Sequence, residues 1–159
     1  MDFCQCDMCV SACKSDPGRL IPEDLPRIAG HLSISLSELL DVYLVLIPRR
    51  WKGQQICAPA PLKRKGFKAD RLIAESGSIV PDYYEKENGR CIFLDDANLC
   101  TIHAVKPYEC AAYMGCRHTF LGRFYRRNEV DAIFTSKWKK KQQLLQIKSE
   151  KTSKKFKSK

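Results

Sequence analysis

The side chains with the most chemistry to offer are cysteines, nine in 159 residues. Six of them fall into two groups. Cys6-x2-Cys9-x3-Cys13 stands near the start, with Cys4 just upstream, and Cys91-x8-Cys100-x9-Cys110 lies in the second half, followed by Cys116. A two-residue gap lets both thiolates of a tight turn face one ion, with bonds of about 2.3 Å for zinc, and the next Cys joins after one more turn of chain. The gaps of the second group are too long for a local metal loop. They serve one site only if a hairpin, a turn and a helix start converge on a point. Four thiolates suit either tetrahedral zinc or an iron–sulfur cluster. The six thiols, with Cys4 and Cys116 as a second tier, exceed one mononuclear site. That excess favours an iron–sulfur cluster, for which the 4Fe-4S type is a candidate, and leaves zinc as the alternative.

Compartment decides how thiols are read. The opening MDFCQCDMCV has no basic start followed by an apolar stretch, so no secretory signal is visible. The longest apolar run, Leu39 to Ile47, contains Asp41 and stops at Pro48, far short of the roughly 20 residues that span a bilayer. A cytoplasmic protein with no membrane partner is the expectation. In a reducing compartment clustered thiols hold metal or do redox chemistry rather than form structural disulfides, and an odd count leaves no full set of pairs.

Other candidates read more simply. Cys57 has no partner nearby in sequence and reads as a buried small hydrophobe. His103 and His118 read as hydrogen-bonded structural residues. His31, at a helix end, reads as a favourable charge on the C-terminal dipole. No His is placed among the ligands. Trp51 reads as packing. Lys106 and Arg117 are cations that would balance the charge of a thiolate-bound cluster.

Charge is unevenly spread. The chain has 28 Lys+Arg against 18 Asp+Glu, a formal +10. Lys137 to Lys159 holds 10 Lys and one acid, which leaves a body that is nearly neutral. A groove tracking phosphates across a folded surface needs its excess of cations in the body. Nucleic-acid binding through the basic tail is therefore a minor alternative.

The elements that must position the thiols are short. Pro22-Glu23-Asp24 starts a helix with Leu25, Ile28 and Leu32 on one face. Ser35 with Glu38 fits a capping box for a second helix over Leu36 to Leu46. Residues 48–81, rich in Pro, read as loops with one short helix near Lys68 to Glu75. Asn88-Gly89 suits a tight hairpin between Tyr83–Glu87 and Arg90–Leu94. Asp95–Asn98 is a turn, Cys100–His103 a short strand, and a helix follows Pro107. Val130, Ile133, Phe134, Trp138 and Leu145 line a last helix over roughly Asn128 to Ile147. The fold class is α+β, mainly helical with a short β-hairpin: a small irregular domain organised around a metal–thiolate site. Residues 1–147 form that domain, and 148–159, a Lys-rich stretch with one aromatic residue, form a disordered tail.

Cys6-Asp7-Met8-Cys9-Val10-Ser11-Ala12-Cys13, Asp24-Leu25 opening a helix, and CIFLDDANLCTIHAVKPYEC over residues 91–110 resemble the YkgJ-like cysteine-cluster family, also called the CxxCxxxCC or zinc/iron-chelating domain. The resemblance runs from about Cys4 to Cys116. It implies chelation of zinc or iron, with an iron–sulfur cluster among the forms, and carries over to Cys6, Cys9, Cys13, Cys91, Cys100 and Cys110. Two positions depart from the pattern. The family's adjacent Cys pair is Cys13-Lys14 here, so one expected thiol is missing, and Cys4 or Cys116 could substitute. The usual Arg-Pro before the last Cys is Lys106-Pro107, which keeps a cation near the thiolates. Longer relatives, the flagellin lysine N-methylases, suggest an enzyme or accessory in protein modification such as methyl transfer as a second functional class.

Local signals for catalysis are absent. The chain has no Gly-rich phosphate loop and no dinucleotide fingerprint. Its Cys-x2-Cys-x3-Cys order is the reverse of a radical-SAM arrangement. Cys6 lies too close to the first residue for the strand that precedes the CxxC of a thiol oxidoreductase. The expectation is a metal-binding protein with a redox or electron-transfer role and a redox partner protein, whether or not it also catalyses a reaction.

Overall fold

The computed structural model of the chain describes residues 7–15, 17–51, 54–65, 71–80, 88–112 and 120–139. Helix α1 covers Asp7–Ser15, a segment whose Cys and polar content gave no helical expectation. Helix α2, Asp24–Leu32, begins where Pro22 and the acids predict. It buries Leu25, Ile28 and Ala29, and ends as Ser33 turns left-handed at φ 56° with its N–H on Gly30.

The second predicted helix is helical only as far as Tyr43. Ser35 Oγ accepts the Glu38 N–H at 3.0 Å, and α3 spans Leu36–Glu38. The backbone then widens into a π-helix, Leu39–Tyr43, and becomes strand β1 at Leu44–Trp51. The expected helix to Leu46 is thus wrong from Leu44 onward. Leu44, Val45, Leu46 and Ile47 are all buried, so both faces of the strand are covered. Such a run loses its period of two and is not separable from a buried helix by pattern.

Strand β2, Gln54–Pro61, returns antiparallel to β1, with Leu44 opposite Pro61 and Trp51 opposite Gln54. A hairpin thus replaces part of the predicted loop. Its prolines, Pro48, Pro59 and Pro61, argue against a central strand, but a two-stranded sheet consists only of edges, where a missing N–H is tolerated. Residues 71–75 are not helical, contrary to the expected short helix there; its first residues lie outside those described.

A second pair joins β3, Lys63–Arg64, to β4, Arg90–Cys91, with Lys63 opposite Cys91. β4 therefore pairs with residues nearly thirty positions upstream, while the proposed partner Tyr83–Glu87 lies outside the described residues. Past the Asp95–Asn98 turn a single bridge joins Leu94 to Cys100, and His103–Val105 is a 3-10 turn rather than strand. Helix α4, Tyr108–Ala112, follows Pro107 as expected. Helix α5, Phe120–Lys139, starts eight residues before its predicted start. Residues 140–147 and the tail 148–159 lie outside the described residues.

The main core gathers Leu20, Leu25, Ile28, Leu39, Leu44, Phe93, Ile102, Phe134 and Trp138. A smaller one joins Val45, Ile47, Ala60, Leu62 and Val80. Cys91 belongs to the main core, and Cys13 and Cys100 pack against it. Among the described residues no helix is long and apolar enough to cross a membrane.

Candidate metal centre

The eight residues between Cys91 and Cys100 are closed by a loop that the sequence marks as an acidic turn. Asp95 N–H donates to Leu99 O at 2.9 Å, Asp95 Oδ1 accepts the Leu99 N–H at 2.8 Å, and Asn98 adopts φ 60°. Thr101 then donates twice to Phe93 O, from N–H at 2.8 Å and from Oγ1 at 3.1 Å. Cys100 is delivered beside Leu94, three residues beyond Cys91.

Cys110 arrives by a different device. Lys106 is extended ahead of Pro107, as proline requires of the residue before it, and α4 starts with its first amide captured. That captor is Asp24, 1% exposed, whose Oδ2 accepts the Tyr108 N–H at 2.8 Å and the Ile21 N–H at 2.9 Å. Its Oδ1 accepts from Arg27 at 2.7 Å. Asp24 thereby locks the starts of α2 and α4 together.

Cys13 lies on α1, which packs on β4. Cys9 stands one turn earlier on the same face. The C-terminal end of α1 is held by Lys63, 1% exposed, whose Nζ donates to Ser15 O at 2.8 Å. Gly89 N–H donates to Lys14 O at 3.2 Å. A fully buried lysine is costly unless paired. Here it ties α1 to β3, which pairs with the strand that carries Cys91.

Cys13, Cys91, Cys100 and Cys110 consequently share one electrostatic neighbourhood. The Cys91 thiol is pushed well up by burial and further by Cys13 and Cys100, and is drawn down by N–H groups of Phe93 and Leu94. Burial likewise raises Cys110, with Cys13, Cys91 and Glu109 adding to the rise and the Gly18 N–H opposing it. For Cys100, burial raises and Asp95 adds to it; the Ile102 N–H and the Lys106 ammonium oppose. A backbone amide stabilises a thiolate far more than a neutral thiol, whose sulfur is only a weak acceptor. Cys91 and Cys100 each receive one from two residues on, and Cys91 a second from three on.

Gly18 has to be glycine for this contact. A Cβ there would lie 2.6 Å from Cys110 N and 2.7 Å from its Sγ. Gly18 and Lys63 have no signal in the sequence as site residues; Asp16-Pro17-Gly18 reads only as a turn. Lys106 was legible, and it also donates to His103 Nε2 at 3.0 Å. The His103 pKa is lowered by burial and by Lys106, and its ring is engaged outside the thiol set. His31 Nε2 lies 3.2 Å from Thr101 O. Cys57 stands on β2, half-buried and raised by burial alone.

As placed, no group of three or more His, Cys, Asp and Glu side chains among the described residues is close enough to hold a metal ion. Cys4, Cys6, Cys116 and His118 lie outside those residues. The donor set nonetheless fits a thiolate-bound zinc or iron: sulfur ligands from three segments, amides directed at them, and a cation beside Cys100.

Fold and site together define a small thiol-cluster domain in which short elements serve to gather cysteines. Residues 5–142 match the CxxCxxCC family, whose model is described as a "putative zinc- or iron-chelating domain", and the chain belongs to that family. No curated protein and no solved structure matches it.

Proposed function

We propose that the chain is a cytoplasmic metal-binding protein that holds an iron–sulfur cluster through Cys13, Cys91, Cys100 and Cys110 together with thiols of the Cys6–Cys9 segment, and that it serves electron transfer or redox sensing with a partner protein. The observation that carries this reading is the set of backbone N–H groups directed at the sulfurs of Cys91, Cys100 and Cys110. Around neutral thiols such amides meet only a weak acceptor; around ligating thiolates they stabilise the charge and help to set the reduction potential. The family match over residues 5–142 supports zinc or iron chelation, and also supports treating most of 1–147 as one domain.

A bound cluster would supply one-electron chemistry. The chain's own residues supply the rest: Asp24 and the Asp95–Asn98 turn bring the segments together, Lys63 anchors α1, and Lys106 offsets charge at Cys100. Closing onto one centre requires rotation of the thiol side chains and binding of deprotonated sulfur, so loading stabilises the fold and releases protons. Anaerobic purification with metal analysis, a visible spectrum and electron paramagnetic resonance tests the proposal. Iron with labile sulfide and charge-transfer bands is the expected result. Stoichiometric colourless zinc would replace the cluster by a zinc site, and protein free of both metals would overturn the reading.

A further inference from the structure

Arg19 is a buried cation outside the thiol set. It is 8% exposed, and its guanidinium stacks 4.6 Å from the centroid of Phe134. Nε donates to Glu109 Oε2 at 2.8 Å, NH2 reaches Glu109 Oε1 at 2.5 Å, and the same NH2 reaches Asp131 Oδ1 at 2.6 Å. The Arg19 amide also donates to Glu109. Burial alone would discourage the charge, but Glu109 and Asp131 more than offset it. A buried ionic triad is seldom the most stabilising way to fill a core, because desolvation consumes most of the attraction.

Its neighbours show what it joins. Gly18 lies so close to Cys110 that a Cβ there would be 2.7 Å from its Sγ, and Leu20 O accepts Trp138 Nε1–H at 2.9 Å. Three consecutive residues therefore meet the thiol cluster, the helix that carries Cys110, and α5. On α5 the contacts are Asp131, Phe134 and Trp138, spaced three and four apart on one face. Glu109 and Cys110 are neighbours on α4, so the carboxylate that Arg19 holds sits on the same short helix as that thiol.

We propose that Arg19 is a positioning residue that couples docking of α5 to metal loading at Cys110. The coupling rests on the metal-centre reading above. Ligation at Cys110 fixes the Gly18–Arg19 segment, which fixes the fork that receives Asp131. By linkage, a docked α5 raises metal affinity to the same degree that metal tightens α5.

The test uses the full reduced chain with zinc(II) as probe. Affinity is measured by competition with a chromophoric chelator, and docking by hydrogen exchange over residues 129–138 with and without zinc. In wild type, zinc should raise protection of that segment. Asp131→Asn touches no thiol and should keep the zinc stoichiometry, yet lower affinity by roughly fivefold or more and shrink the zinc-dependent gain in protection. Arg19→Met should lose more, because it releases Glu109 on α4 as well as Asp131 on α5. Wild-type affinity in Asp131→Asn, or zinc binding by wild type that leaves 129–138 unchanged, would overturn the coupling while leaving the metal centre intact. A wild type that takes up no zinc and contains no iron would overturn both.

Discussion

The β1–β2 hairpin and the thiol pocket contain the same reactive group in different settings. Cys57 on β2 is raised by burial and by nothing else. Cys91, Cys100 and Cys110 are raised by burial too, yet each also receives a backbone N–H and stands near another acid group or thiol. Burial by itself makes a cysteine inert. What distinguishes a candidate ligand is burial opposed by donors, because those donors gain most when the sulfur becomes a thiolate.

The contrast breaks most visibly under ligand removal. Cys91→Ser and Cys110→Ser should each strip most of the bound metal, whereas Cys57→Ser should retain it, as read by metal-to-protein ratio after desalting under reducing conditions. Equal loss in all three would erase the distinction. A smaller effect separates two glycines. Gly18→Ala forces a methyl against Cys110 and should cost roughly 1–3 kcal/mol of overpacking along with weaker metal retention. Gly30→Ala, on α2 with nothing within 4 Å, should gain about 0.5–1 kcal/mol. Thermal unfolding of both variants decides; a harmless Gly18→Ala would show that the cradle does not constrain Cys110.

The weakest of these effects at neutral pH is the pH dependence. The pocket thiols titrate above the ordinary thiol range in the folded metal-free protein. Their stabilising contribution is therefore present below about pH 8.5, the unfolded value, and is lost as pH rises toward the folded values. Chemical denaturation should find the metal-free protein weaker at pH 9.5 than at 7, with the loss removed or reversed once metal holds the thiols deprotonated. Metal-free stability that rises over that interval would contradict the shifts.

Much of the site was legible because its signals are local. Cysteine spacing, the acidic turn, Lys106 and Pro107 all act within a few residues of the thiols they serve. The start of α2 and the Ser35 cap were legible for the same reason. The hairpin was hidden because two covered faces abolish alternation in Leu44–Ile47, and because prolines disfavour strands except at edges. The supporting shell was hidden by distance. Gly18, Arg19 and Lys63 acquire their roles only through partners far along the chain, such as Cys110, Asp131 and Ser15.

The strip from Gly18 to Leu20 has a consequence for biosynthesis. Its thiol and helix partners lie 90 to 118 positions downstream, and Cys13 waits for Cys91 across about half of the chain. At ordinary elongation rates of about 5–20 residues per second, Cys13 is made roughly 4–16 seconds before Cys91. Throughout that interval the leading cysteines stand without the segment that completes their surroundings. A centre built as proposed can therefore close only after Cys110 has been made, late in the synthesis of the chain.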